Sequence, residues 1–176
     1  MKLCMFSPRE PFLDRGWPGR IDGDKVIQLA AQTLQAFFTG GGQAREHAEY
    51  PLAEVVFRAP VLHPPSVRIF DESGDFVFAN PAAIKAVGDD PGVAGAEANE
   101  RMAAIVGADG AIGGFTPFVE WVATELRGAK QRDFALTLGP VVTTPDEAVP
   151  PSVDWERLVA HAGENTTLYP GDLIVR

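Results

Sequence analysis

The residues with chemical capacity concentrate between positions 97 and 132. In Asn99-Glu100-Arg101-Met102-Ala103-Ala104-Ile105-Val106-Gly107 the run Met102–Val106 reads as a short strand. Alternate side chains then share a face, so Asn99 stands beside Arg101 while Glu100 points the opposite way. Glu97, Glu100, Glu120 and Glu125 form a carboxylate cluster along the sequence, and Arg101 and Arg132 are two of the four cations in the same stretch, with Arg127 and Lys130. Arginines placed this way can bind and polarise an oxyanion or carboxylate, and Glu120 (or Glu125) can serve as general base. Such proton shuffling suits an isomerisation, a cyclisation or a C–C cleavage. Other chemistries lack their patterns. There is no Gly-x-Ser-x-Gly elbow and no Cys/His metal spacing, and Asp109-Gly110 is hairpin-turn chemistry rather than a phosphate loop. His63 and His161 read as surface or half-buried histidines, and Cys4, inside Leu3-Cys4-Met5-Phe6, as a buried small hydrophobe.

A chain of 176 residues suits one domain, or a compact domain with a small appendage. Its net charge of −9 argues against nucleic acid and anionic membrane as partners, because phosphate binding needs clustered Lys and Arg. No apolar run reaches the length of a membrane span and the start carries no signal-peptide pattern. A single cysteine excludes an internal disulfide framework and favours a reducing compartment, hence the cytoplasm. Asn165-Thr166-Thr167 matches a glycosylation acceptor but reads as a polar turn. The 18 Gly and 15 Pro are spread through turns, the mark of a loop-rich β protein.

The expected fold class is mainly β with few helices (α+β). Residues 1–60 read as a small N-terminal α+β domain and 61–176 as a β domain. Lys2–Phe6 is a strand and Asp22-Gly23 a turn; Val26–Phe38 carries near-helical apolar spacing that Thr39-Gly40-Gly41-Gly42 stops. Leu52–Val61 is extended and leads to Pro64-Pro65, which keeps the chain stiff between two packed units. Beyond the prolines, Phe76–Phe78, Met102–Val106 and Val141–Thr144 are short strands, and Pro117–Leu126 reads as more helical. Asp154–Ala162 is a helix capped by Asp154 or Ser152 and closed by Gly163; Asp172–Val175 is a last strand after a Pro170-Gly171 turn.

Phe78-Ala79-Asn80-Pro81-Ala82-Ala83-Ile84, the Asn99–Gly107 strand, Arg132-Asp133-Phe134-Ala135-Leu136-Thr137-Leu138-Gly139-Pro140, Pro145-Asp146-Glu147 and Pro170-Gly171-Asp172-Leu173-Ile174 together resemble the fumarylacetoacetate hydrolase family over nearly the whole chain. The resemblance implies a mixed β-roll or barrel preceded by a small N-terminal domain. It also implies a Mg²⁺ or Ca²⁺ site of four carboxylates that holds a diketo acid. Here those four positions fall on Ile69, Asn99, Arg101 and Glu120. One carboxylate survives. A divalent ion about 5 Å from the Arg101 guanidinium would be repelled by roughly 6–7 kcal/mol at an effective dielectric of about 20. No metal is therefore expected, with an Arg101–Glu120 ion pair in its place.

The family's substrate-contacting lysine maps to Arg132, with Lys130 two residues earlier, and its arginine after the metal Asp maps to Thr124. Glu120, Arg101 and Arg132 are thus the expected catalytic residues; Asn99, Arg132, Lys130 and Thr124 are the expected substrate contacts. Three readings follow. The first is a metal-free binder or catalyst, of isomerase, cyclase or lyase type, for a small enolisable carbonyl or carboxylate compound in a biosynthetic pathway. The second is an inert subunit that dimerises with itself or with an intact paralogue. The third is an Mg- or Mn-dependent hydrolase or decarboxylase of diketo acids, which would need Asp71, Glu97 or Glu125 as rescuing ligands.

Overall fold

The structure is a computed structural model that describes residues 1–150 and 153–176. The first part of the chain forms strands β1 (Lys2–Pro8), β2 (Trp17–Asp22) and β3 (Lys25–Leu29), helix α1 (Leu34–Thr39), then β4 (Glu46–Pro51) and β5 (Val55–Arg58). Four strands follow: β6 (Val67–Phe70), β7 (Phe76–Ala79), β8 (Ile84–Lys85) and the long β9 (Glu97–Val106). Next come β10 (Ile112–Val122), β11 (Leu136–Leu138), β12 (Val141–Thr143), helix α2 (Trp155–Ala162) and β13 (Leu173–Val175). The fold is mainly β with two α-helices among the described residues, as the composition and turn residues imply.

Hydrogen bonding links all thirteen strands into one sheet, ordered β4-β3-β2-β1-β12-β10-β9-β13-β6-β7, with β5 also on β1, β11 on β10 and β8 on β11. The sheet is continuous across residue 60, because β1 pairs with β12 through Lys2↔Thr143 and Leu3↔Val142. Period-two alternation sorts the apolar residues into separate cores. Leu3 and Met5 of β1 and Ala103 and Ile105 of β9 face a central cluster with Phe118, Leu136, Leu138 and Leu173. Cys4 and Phe6 face the other way, onto Val26 and Val55. Ala104 and Val106 face Phe115, Trp155 and Leu158, so α2 covers the outer face of the sheet there. Cys4 is enclosed as expected, and burial pushes its thiol up to about 12, which makes it inert at neutral pH.

Two segments with helical spacing are strands over part of their length. Val26–Leu29 pairs with β2 and β4, and the helix is confined to Leu34–Thr39, where the Thr33 hydroxyl accepts from the Ala36 N–H at 3.0 Å. The β-branched pair Val26-Ile27 fits a sheet packed on Cys4 and Phe6 better than a helix, and the hairpin turn before it sets the register. Pro117–Val122 lies within β10 instead of a helix. Pro117 is tolerated there because its carbonyl accepts from Gly139 N–H at 3.0 Å, on the side where β11 breaks before β12, so the missing donor serves no strand. On the other side its neighbour Met102 bonds to Arg176 rather than to β10, at 2.9 and 2.8 Å. The segment read as extended from Leu52 begins with a single 3₁₀ turn, Leu52–Glu54.

Helix α2 starts where expected: Asp154 is the cap and accepts from the Arg157 N–H at 3.1 Å; Ser152 lies outside the described residues. Asp154→Ala should lower stability by about 1 kcal/mol, the usual worth of a carboxylate cap, read as a shifted urea midpoint with unchanged slope. A midpoint identical to the parent would mean that packing of Trp155 and Leu158 alone sets this end of α2.

Candidate functional site

The polar end of the central core is built by three neighbouring elements. β9 is exposed over Glu97–Glu100 and buried from Ala103 onward, so its Asn99 and Arg101 mark where the apolar face ends. In the antiparallel pairing with β10, Arg101 lies opposite Phe118 and Asn99 opposite Glu120. Glu120 is also flanked by β11, through Glu120↔Leu136. It therefore emerges on the core face, two residues beyond Phe118, and is 2% exposed.

A buried carboxylate needs compensating charge, and two guanidiniums supply it. Arg101 Nε lies 3.5 Å from Glu120 Oε2, and Arg132 Nη1 donates to Glu120 Oε1 at 3.2 Å. Arg101 is 24% exposed and its Nη1 also donates to the Phe70 carbonyl at 3.4 Å, whereas Arg132 is 55% exposed and reaches in from outside. The contact between Arg101 and Glu120 is an ion pair without a hydrogen bond, and both Arg101 Nε and Glu120 Oε2 are buried without a hydrogen-bond partner. The cluster contains two positive charges and one negative, which leaves one cationic charge on the exposed side, at Arg132.

Asn80 holds the segment that carries Arg132. Its side-chain oxygen accepts from the Ala82 N–H at 3.0 Å, and its amide donates to the Asp133 carbonyl at 3.0 Å. The 3₁₀ turn Gly128–Gln131 ends there, with Arg132 N–H donating to Ala129 O at 3.1 Å. Asn80-Pro81-Ala82-Ala83 is thus a positioning motif for the loop between β10 and β11.

The structure brings Arg101, Glu120 and Arg132 together and sets Asn99 across the ladder from Glu120, exposed. Lys130 instead pairs with Asp133 Oδ2 at 2.9 Å, and Thr124 is exposed, its carbonyl accepting from Gln131 Nε2 at 3.4 Å. Among the described residues neither bonds to the three-residue cluster. Asp71, the first rescue candidate for a metal site, is tied into its own turn by bonds from Ser73 Oγ and N at 2.6 and 2.9 Å, which hold its carboxyl below the usual range. Glu97 and Glu125 are exposed. Ile69 sits in the central core, and among the described residues no three His, Cys, Asp or Glu side chains converge as metal ligands do. A hard divalent cation wants several oxygen anions; Ile69, Asn99, Arg101 and a Glu120 already engaged by two guanidiniums do not fit one. His63 is exposed, and His161 lies against Phe70 and Phe76, its Nδ1 3.4 Å from Glu164.

One polar network was not anticipated. Ser66 Oγ donates to Asp172 Oδ1 at 2.6 Å, Arg68 Nη1 donates to Ser66 Oγ at 2.5 Å, and Asp172 also accepts from the Tyr169 N–H at 2.7 Å. The available signal was a charged residue inside the apolar run Val67-Arg68-Ile69-Phe70.

No family model matches this sequence, and no curated protein matches it. Solved structures do. Maleylpyruvate hydrolase from Sphingobium sp. SYK-6 superposes with a TM-score of 0.76 at 20% identity, over 99% of this chain and 87% of that one. A structure of the same enzyme with manganese(II) and pyruvate gives 0.74 at 19% identity, over 100% and 90%. The 2-hydroxyhepta-2,4-diene-1,7-dioate isomerase of Mycobacterium marinum gives 0.73 at 18%, over 99% and 86%. A 2-keto-3-deoxy-D-arabinonate dehydratase complexed with magnesium and 2,5-dioxopentanoate gives 0.71 at 14%, over 99% and 86%. The fold of this chain is therefore the fumarylacetoacetate hydrolase-like fold shared by these hydrolase, isomerase and dehydratase structures. No described helix is long and apolar enough to cross a membrane.

Proposed function

We propose that this chain is a divergent fumarylacetoacetate hydrolase-family protein that has lost the divalent-metal site and binds a small carbonyl or carboxylate compound through Arg132 and Arg101. One observation carries this reading: a carboxylate 2% exposed is held between two guanidiniums, on residues to which the sequence resemblance maps the family's cation site. Glu120 orients the arginines, and the unbalanced positive charge at half-exposed Arg132 attracts an anionic ligand. Pyruvate and 2,5-dioxopentanoate in the similar structures indicate the size and type of ligand, a 2-oxo acid or aldehyde acid. In a catalytic version Glu120 would take the proton, although a carboxylate already accepting from an arginine has less lone-pair capacity left for substrate.

The test is thermal unfolding with oxalate as a 2-oxo-acid mimic, with and without millimolar Mg²⁺ or Mn²⁺. We expect a rise of several degrees with oxalate alone, unchanged by metal or chelator and absent in Arg132→Ala. Binding at about 100 times the dissociation constant adds roughly 2.7 kcal/mol. A rise that requires metal would overturn the proposal and return the hydrolase or decarboxylase reading.

A second reading is the inert subunit that pairs with itself or with a paralogue. Among the described residues five cavities of about 230–690 Å³ lie away from the cluster, and Arg101, Glu120 and Arg132 line none of these five, which supports that reading. Absence of any response to oxalate would support it.

A further inference from the structure

We infer that the cleft between strand β7 and the C-terminal end of helix α2 is a binding site for a small carboxylate borne on a flat apolar body, separate from the Arg101–Glu120–Arg132 cluster. Val67 and Ile69 face the central core, so Arg68 between them projects through the sheet toward α2, where it is 5% exposed. Its guanidinium lies over the rings of Phe78 and Phe76, 5.2 and 5.8 Å from their centroids. Those contacts compensate the faces of the cation but not its in-plane donors.

In the plane it is short of acceptors. Among the described residues its one hydrogen bond goes from Nη1 to Ser66 Oγ, and Nε is buried without a partner. The closest carboxylate oxygen, Asp172 Oδ2, is 3.8 Å away, and both Asp172 oxygens already accept elsewhere, from Ser66 and from the Tyr169 N–H. A buried cation with so few acceptors is costly unless something else meets its N–H groups.

The guanidinium lines a cavity of about 290 Å³ whose walls include Phe76, Phe78, His161, Asn165 and Thr166. A carboxylate there meets the part of the Arg68 guanidinium that lines the cavity, in a charge-assisted contact. A planar body on that carboxylate stacks on Phe78, which at 68% exposed is the most open large apolar side chain in the structure. At the rim His161 and Glu164 form a pair at 3.4 Å.

The probe is benzoate, with acetate and benzylamine as controls. The readout is the ring-proton NMR signal of His161, one of three histidines in the chain, identified by its loss in His161→Gln. The titration uses the full chain carrying Arg132→Ala, so binding at the other cluster cannot contribute. We expect a saturable shift with benzoate, a much weaker response to acetate, none to benzylamine, and affinity about fivefold lower in Phe78→Ala, the worth of one aromatic pair. Equal responses to benzoate and benzylamine, no saturation, or unchanged affinity in Phe78→Ala would each overturn the assignment. Phe78 is exposed, so its removal leaves the core intact, and failure here would not touch the oxalate test above.

Discussion

Arg101→Ala should destabilise the protein by about 3 kcal/mol, a fall in Tm of roughly 6–12 °C for a chain of this size. The argument is about what remains rather than what is removed. Glu120 is 2% exposed and would keep a single partner, Arg132, at 3.2 Å, so part of a buried charge would go uncompensated. Arg132→Ala should cost less, about 1 kcal/mol, because that side chain is half in solvent and Arg101 stays in place. The order of the two variants is therefore diagnostic, and it runs opposite to what the distances alone suggest, 3.5 Å for Arg101 and 3.2 Å for Arg132. Adding Glu120→Gln to Arg101→Ala should recover part of the loss, since no buried ion is then left unpaired. Chemical denaturation of the four proteins decides it; an Arg101→Ala effect below about 0.5 kcal/mol would mean that water already solvates Glu120.

The same cluster shows what could be read from sequence and what could not. Strand alternation was enough to set Asn99 and Arg101 on one face and Glu100 on the other, and the family resemblance placed Glu120 beside them. That placement survives although Pro117–Leu126 reads as more helical, because Trp121, Val122 and Leu126 fall at spacings that suit a helix when the partner strand is unknown. The structure resolves the ambiguity through β9, which pairs with β10 from Ile112↔Val106 to Val122↔Glu97. Tertiary pairing of that length overrides local periodicity. The same holds for Val26–Leu29, whose partners are the hairpin strand before it and β4 after it. Arg132 was legible as a position but not as a contact, because a loop's reach depends on its anchor, here the Asn80 bond to the Asp133 carbonyl. Arg68 and Asp172 stand 104 residues apart, the difference of their numbers, and nothing local in either segment announces the other.

Phe118→Ala should cost about 3–5 kcal/mol, the usual price of removing a buried ring from a core that collapses only in part. Phe118 is 1% exposed, lies opposite Arg101 on β9 and Leu138 on β11, and shares its strand face with Glu120. It is the apolar floor that keeps water from the ion cluster. Opening that floor would hydrate Glu120, and a hydrated carboxylate depends less on its arginine. The double variant Phe118→Ala/Arg101→Ala should therefore be less destabilised than the sum of the singles, with a coupling of about 1 kcal/mol. Phe115 supplies the control: it lies in the same strand but on the opposite face, packed against Trp155 with ring centroids 5.2 Å apart. Phe115→Ala should be costly too, yet additive with Arg101→Ala within about 0.5 kcal/mol, because its cavity opens toward α2 and away from Glu120. Equal coupling at both positions would mean that the two variants loosen the whole sheet, and the dry floor beneath the arginines would then have no separate role.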